Sequence, residues 1–406
     1  MRQGARGFAL VLVLSLLGLL VLLAYALTAL GKVDAQLAAT TAYQTQARQN
    51  ALLGLQSALG TLQRLAGPDD RVTGMAGITG VPAGASNPAR QWCGVWNEQG
   101  TFLGWLASGA EGATLPSLEG SEVVTIVGSG TVGGDATDRE HVRVMRLPVS
   151  GAEPSGMTPR SGHYAYWVGD EGVKLSFRIT DATGADTGQR HAVDVTFTGV
   201  TPGAAALTRL SAYEQISLAG GTAAQRQIGF HSHGLSHRQV IGPNLVAGQL
   251  NVNSSSARYW TAVAATYNRL RPSGSLPVAN PAAFGQSLRA SMVGALSDVG
   301  RPARGPFLSA SAFLNSNALS EALTDGGGNL LDFGNVMLSW LSARSDTFRI
   351  RAYGDAVNPA MPAQVEATAR CEAIVQRLPD LIDAPTGPLG RRFVIVSFRW
   401  LVPDDI

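Results

Sequence analysis

The residues best suited to chemistry fall in a few short clusters. His231, His233 and His237 share one heptapeptide, His231-Ser232-His233-Gly234-Leu235-Ser236-His237, and account for half of the six histidines. Imidazoles so spaced could chelate a transition metal if the loop folded back on itself; a polar loop is the plain alternative. Gly128-Ser129-Gly130-Thr131-Val132-Gly133 matches the dinucleotide fingerprint GxGxxG and follows a β-type run. That fingerprint works by pointing a helix N-terminus at a pyrophosphate. Here a short polar stretch and a second β-type run follow, so a hairpin loop is expected. Asp170-Glu171 and the loop Asp181 to Asp186 offer oxygen ligands of the kind calcium takes, without EF-hand spacing, and are expected to be solvated turn carboxylates. Asp332-Phe333-Gly334 mimics a kinase triplet with no other kinase element around it. No Gly-x-Ser-x-Gly elbow occurs, and no catalytic residues, cofactor or metal are assigned.

The two cysteines, Cys93 and Cys371, are far apart in sequence and form no metal-ligand pattern. An exported body would allow a disulfide between them, provided that the fold brings their Cβ atoms within bridging distance.

The elements that would carry these groups begin with an anchor. Arg2 and Arg6 precede an uncharged run from Phe8 to Leu30. Roughly 20 apolar residues cross a bilayer as a helix, and the basic flank keeps the N-terminus on the cytoplasmic side. Three readings fit: a cleaved signal peptide with Ala24-Tyr25-Ala26 as its site, an uncleaved signal anchor, and a prepilin-type leader cut between Gly7 and Phe8. The third is preferred because helix signals continue past the lipid. No proline interrupts residues 31–66, Leu52, Leu55, Leu59 and Leu62 recur at helical spacing, and Gly67-Pro68 ends the pattern. At the fifth mature position, where major pilins carry glutamate, this chain has Leu12.

The expected organisation is a leader (1–7), a transmembrane segment (8–30), a helix extension (31–66), a Gly/Pro-rich linker (67–90), a β-rich region (91–200), a mixed and largely helical region (201–340), and a C-terminal β region (341–406) packing with 91–200. Strands are expected at Val123–Val127, His141–Met145, His191–Phe197, Thr347–Tyr353, Gln364–Leu378 and Arg392–Leu401. A hairpin of Tyr164–Val168 with Val173–Phe177 is expected around Gly169-Asp170-Glu171-Gly172. A serine-capped helix over Ser254–Leu270 would place Tyr259, Trp260, Val263 and Tyr267 on one face. In Thr347–Tyr353, Phe348, Ile350 and Ala352 alternate with Arg349 and Arg351, an antiparallel signature. The fold class is α+β: a long pilin-like N-terminal helix, membrane-embedded in its first half, then a mainly antiparallel β body with a helical insertion. The formal charge of +2 gives no electrostatic grip on nucleic acid.

Several blocks carry a family resemblance. Ser345 to Gly354 resembles "sDTFxIRAYG", Cys371 to Pro379 resembles "CEAxVQRxP", and Arg391-Arg392-Phe393 with Phe398-Arg399-Trp400-Leu401 resembles "GRRFxxxsFRWL". With Tyr166 to Gly172 and Gly305 to Ser309 they are similar to the Verru_Chthon cassette protein A family. K-type minor pseudopilins and PilX-like proteins are more distantly similar, in the Tyr166–Glu171 and Leu250–Asn253 blocks. The resemblance implies a prepilin-like structural protein of a type IV pilus-like or type II secretion pseudopilus assembly, in an accessory or minor role and not an enzyme. Expected partners are other prepilin-like proteins, a prepilin peptidase (with methylation of Phe8) and the bacterial inner membrane, the body lying in the periplasm or at the cell surface. The alternatives are a membrane-anchored binding module or adhesin that never polymerises, and a hydrolase whose substrate nothing in the sequence names.

Overall fold

The fold is read from a computed structural model, which describes residues 4–79, 89–110, 112, 118–132, 141–150, 160–176, 232–233, 238–241, 244–247, 250–293 and 306–406. It is α+β: one long N-terminal helix followed by antiparallel sheets and several helices.

Helix α1 runs unbroken from Gly4 to Ala66, 63 residues or about 95 Å at 1.5 Å per residue. No proline occurs within it, and it stops where Gly67 and Pro68 remove helical geometry and a donor. From Leu10 to Ala42 every residue is exposed; burial begins at Tyr43 and Ala47. The helix thus has a free half and a docked half.

The dock is a five-stranded antiparallel sheet of β6 (Leu147–Ser150), β7 (Arg160–Asp170), β8 (Thr347–Asn358), β9 (Met361–Leu381) and β10 (Arg391–Leu401), in the order β10-β9-β8-β7-β6. Its α1 face is lined by Tyr166, Val168, Phe348, Ile350, Ala352, Cys371, Ala373, Val375 and Phe393, the inward set of each alternating strand. A smaller antiparallel sheet joins β1 (Arg71–Met75), β2 (Cys93–Asn97) and β3 (Phe102–Trp105). The hairpin of β4 (Val123–Val127) and β5 (Val142–Met145) pairs as its alternation predicts.

The helical insertion lies between β7 and β8: α2 (Ala257–Leu270), α3 (Pro281–Val293), α4 (Ala310–Leu314), α5 (Asn317–Gly326) and α6 (Leu330–Met337). Ser256 caps α2 by accepting from the Tyr259 amide, and Tyr259, Trp260, Val263 and Tyr267 are buried as their spacing predicts. They meet Phe284, Phe313 and Phe333 in a second core. Phe333 of the kinase-like triplet packs tilted against Tyr267 and Phe284, and Asp332 accepts from the Leu276 amide.

Three expectations are corrected. Arg71–Met75, assigned to a linker, is a strand whose apolar residues complete the small sheet. The hairpin expected around Gly169–Gly172 does not form. Instead β7 runs through Asp170 and pairs with β8 and β6, because Ile350, Ala352 and Val168 build a deeper core than a two-stranded ribbon could. The arginine side of Thr347–Tyr353, which the alternation marks as a solvent face, is buried: Arg349 and Arg351 lie inside. His191–Phe197, Asp181–Asp186, His231, His237 and Gly133 lie outside the described residues. His233 lies with Ser232 in a short parallel pairing with Leu175–Ser176.

Candidate functional site: the docked N-terminal helix and its charge clusters

Where α1 meets the sheet its contact face is made of small residues. Ala47, Ala51, Gly54, Leu55, Ala58, Leu62 and Ala66 are buried, six of these at successive intervals of three or four residues along one stripe. Small side chains let backbone approach backbone. A Cβ on Gly54 would lie 2.9 Å from the Ala165 carbonyl oxygen, and one on Gly354 would overlap the Ala51 amide and the Ala47 carbonyl. The leucine stripe read from sequence is only half of this face. Leu55 and Leu62 enter the core, Leu59 and Leu65 sit at its margin, and Leu52 faces outward.

Polar latches fix the depth of docking. Asn50 donates to the Asp355 carbonyl at 2.6 Å, and Thr61 bonds the Tyr166 hydroxyl at 3.2 Å. The Gln63 amide group donates to the Leu389 and Arg391 carbonyls at 2.6 Å each and accepts from the Phe393 amide at 2.9 Å. Past the helix end, the Gly67 carbonyl accepts from the Arg391 amide and from Arg377 Nε, both at 2.9 Å. Asp69 holds Arg391 at 2.8 Å and also pairs with Arg377. Burial alone would raise the Asp69 carboxyl, but these two guanidinium groups bring it below its ordinary value.

The sheet face away from α1 carries a buried ionic ladder. Arg351, Glu372 and Arg399 stand opposite one another on β8, β9 and β10. Glu372 meets Arg351 Nε at 2.7 Å, Arg399 Nε at 3.0 Å and Arg349 Nη1 at 3.3 Å. Arg349 Nε also meets Glu171 at 2.9 Å, and Lys174 Nζ meets Glu171 at 2.6 Å. Burial would push the Glu372 carboxyl up, yet Arg349, Arg351 and Arg399 hold it well below the usual carboxylate range. For Lys174 burial wins: its ammonium falls to about 8 despite Glu171. Next to the ladder, Asp170 is fully buried and raised to about 6 by desolvation. The Gly172 amide at 2.7 Å, Asn251 Nδ2 at 3.0 Å and the Thr73 hydroxyl at 3.3 Å temper the rise. Asp170 and Glu171 are therefore core groups, which overturns their expected place in a solvated turn. A third cluster gathers Asp355 with Arg146 (3.0 Å), His163 Nδ1 (2.9 Å) and Tyr353 OH (3.0 Å).

In place of the expected hairpin loop, the glycine-rich segment forms a four-residue helical turn, Ser129–Val132, whose amides are occupied from within the chain. Gly130 and Thr131 amides donate to the Ile406 carbonyl at 2.6 and 3.1 Å, and Arg351 Nη1 donates to the Thr131 hydroxyl at 2.7 Å. The space a pyrophosphate would need is taken by the chain's own residues 405–406.

Cys93 and Cys371 are buried free thiols. Burial raises Cys371 to about 12 and Cys93 well above its ordinary value, so neither is a ready nucleophile. Between them lie four ladder steps: Cys371 opposite Ala352, Ala352 opposite Tyr166, the Tyr166 carbonyl on the Ser108 amide, and the Leu106 amide on the Cys93 carbonyl. At roughly 4.8 Å a step, the sheet separates them far beyond a disulfide's reach. Among the described residues, no three His, Cys, Asp or Glu side chains converge as a metal site. Gly7 and Phe8 are in the first turns of α1.

What sequence missed is the pairing of Arg349, Arg351 and Arg399 with Glu171 and Glu372. The only signal was the high density of arginine and glutamate within otherwise apolar strands.

No family model matches this chain, and no curated protein sequence matches it. Among solved structures it matches a chain of the GspK–GspI–GspJ complex from the enterotoxigenic Escherichia coli type 2 secretion system. The identity is 13% and the TM-score 0.35, over 63% of this chain and 84% of that one. At that overlap the match carries no argument about role.

Proposed function

We propose that the chain is a membrane-anchored, prepilin-like assembly protein. Its apolar helix half would hold it in the inner membrane as a single pass, with the sheet-built head outside, as an accessory component of a type IV pilus-like or pseudopilus assembly. The observation that carries this reading is the unbroken α1. A signal peptide has no use for a helix that continues without a kink into the core of the mature domain. Here Leu10–Leu30 is apolar and exposed, while Ala47–Ala66 is packed into the sheet by Asn50, Thr61 and Gln63. Other prepilin-like proteins are the partners this reading requires, and a prepilin peptidase would cut between Gly7 and Phe8.

A second reading, an anchored binding module that never polymerises, draws support from the docked stripe. Leu55 and Leu62, which a neighbouring helix could have used, are spent on the protein's own head. Mass spectrometry of the N-terminus of the membrane-extracted protein separates the two. Phe8, N-methylated or not, is the result expected for the assembly protein; an intact Met1 favours the simple anchor, and Leu27 would defeat both.

A further inference from the structure

Among the described residues five carboxyls are buried: Asp170, Glu171, Asp346, Asp355 and Glu372. Glu171 holds Arg349 and Lys174, Asp346 holds Arg344 and Arg377, Asp355 holds Arg146 and His163, and Glu372 holds its arginines. Asp170 alone of the five has no basic partner, and it stands at a junction. It ends β7 where the core beneath α1 meets the second core. Cys93 of β2, in the first, and Tyr259 of α2, in the second, both feel its charge. The chain enters the helical insertion through Leu250–Asn251 and leaves it through Leu341–Ser342, and these two stems pair in parallel beside Asp170. Strand β1 closes the junction: the Thr73 amide donates to the Ala343 carbonyl and the Met75 amide to the Asn253 carbonyl, both at 3.1 Å. Donors here are shared. Asn251 Nδ2 lies 3.0 Å from Asp170 Oδ2, 2.9 Å from the Thr73 and Ser345 hydroxyl oxygens and 3.2 Å from the Thr73 carbonyl, four oxygens for two hydrogens. A proton on Asp170 adds a donor to a site crowded with acceptors. A charge there is carried between two apolar cores with no cation beside it.

We infer that the junction at Asp170 is a proton-operated joint between the two cores of the head, closed while Asp170 carries a proton and loosened when the proton leaves. Loosening frees β1 and the two stems of the insertion from the end of β7, while α1 and its sheet stay packed. Burial holds the Asp170 carboxyl at about 6, whereas water reached through an opened joint returns it toward 3.8. The closed form thus keeps the proton more firmly, and the stability this lends the joint is present in acid and lost as pH rises through 6. No other group facing Asp170 changes charge in that range. Cys93 and Tyr259 are raised well above their ordinary values and stay neutral. Glu171 is paired with Lys174 and Arg349, Asp346 with Arg344 and Arg377, and Asp70 with Arg71 at the start of β1. Thr73, Asn251 and Ser345 do not titrate.

The test is amide exchange of the full chain in detergent, followed by mass spectrometry from pH 5 to pH 7.5 with the intrinsic rates divided out. The reporters are the amides of Thr73, Met75, Asn251, Val252 and Ser345, each hydrogen-bonded at the junction, and the controls are the β8–β9 amides beneath α1. The inference expects about tenfold more opening of the reporters at the upper pH, from one carboxyl moving between about 6 and 3.8, and no change in the controls. Asp170→Asn should be flat across the range. Ser345→Ala removes a hydrogen bond that favours the charged form, so its opening transition should move to higher pH; it carries the test alone if Asp170→Asn does not fold. Equal protection at both ends of the range, the same tenfold loss in Asp170→Asn, a loss shared by the controls, or a Ser345→Ala transition that stays or moves down overturns the inference.

Discussion

Asp170 and Glu372 show how opposite neighbours set opposite fates for two buried carboxyls. Glu372 sits among three guanidinium groups and stays ionised; Asp170 has no guanidinium partner but hydrogen bonds from Ser345, Gly172, Thr73 and Asn251. Between the unfolded value of 3.8 and the folded value of about 6, the folded chain keeps a proton on Asp170 that the unfolded chain releases. Stability therefore falls as pH rises through that window. In Asp170→Asn this part of the slope should vanish, whatever the variant's absolute stability, and thermal melts from pH 4 to 7 would show it. Glu372→Gln leaves Arg349 and Arg351 buried, and Arg399 half-buried, without their shared charge. Removing one partner of a buried cluster costs about 3–5 kcal/mol, which guanidinium unfolding at neutral pH should register. Neither environment was legible in sequence. Gly169-Asp170-Glu171-Gly172 has the composition of a turn, and Arg349, which claims Glu171, is 178 positions further along. Local composition reports turn propensity; it does not report which distant strand will lie alongside.

At the level of elements, what could be read was what depends on local periodicity. The stop of α1 at Gly67-Pro68, a serine-capped α2 (expected from Ser254, capped by Ser256 two residues on), the β4–β5 hairpin and the three C-terminal strands follow from spacing and from Gly or Pro stops. Strand partnership and the buried face of α1 did not follow. Leucine spacing marked a stripe, but the docked face is set by where Gly54 and the alanines let the helix approach β8, and Leu52 lies outside it. The contrast is testable within one stripe. Leu62→Ala should destabilise the head by about 2–5 kcal/mol, as buried leucines do. Leu52→Ala, on the outward side, should change it by less than about 0.5 kcal/mol. Gly354→Val should be worse than its small size suggests, because its Cβ would meet helix backbone and not a yielding side chain. Paired denaturant curves on the three variants check the ordering. Equal effects of Leu52→Ala and Leu62→Ala would contradict the docking.

For the whole molecule, the division of α1 into free and docked halves makes the two parts unequal in their importance to the fold. Deleting residues 1–30 removes, from Leu10 onward, only exposed helix, so the head should keep its melting transition and become soluble without detergent. A deletion that continues through Ala58 strips Ala47, Ala51, Gly54, Leu55 and Ala58 from the core and should leave no cooperative transition by circular dichroism. If the longer deletion melted like the shorter one, the helix would be an appendage and not a structural member.

The ladder between β7 and β8 joins residues 164–170 to 348–354, with the helical insertion looped between them. Contacts of such long sequence separation form late and slowly, because loop closure precedes their reward. On the anchor reading proposed above, in which the N-terminus stays behind and the body crosses in chain order, α1 would wait beside an unfinished sheet until the last strands emerged. Any cut that removes β8 to β10 would strand the helix with nothing to lie on, so the fold carries its own completeness check, made by topology and independent of any sequence signal.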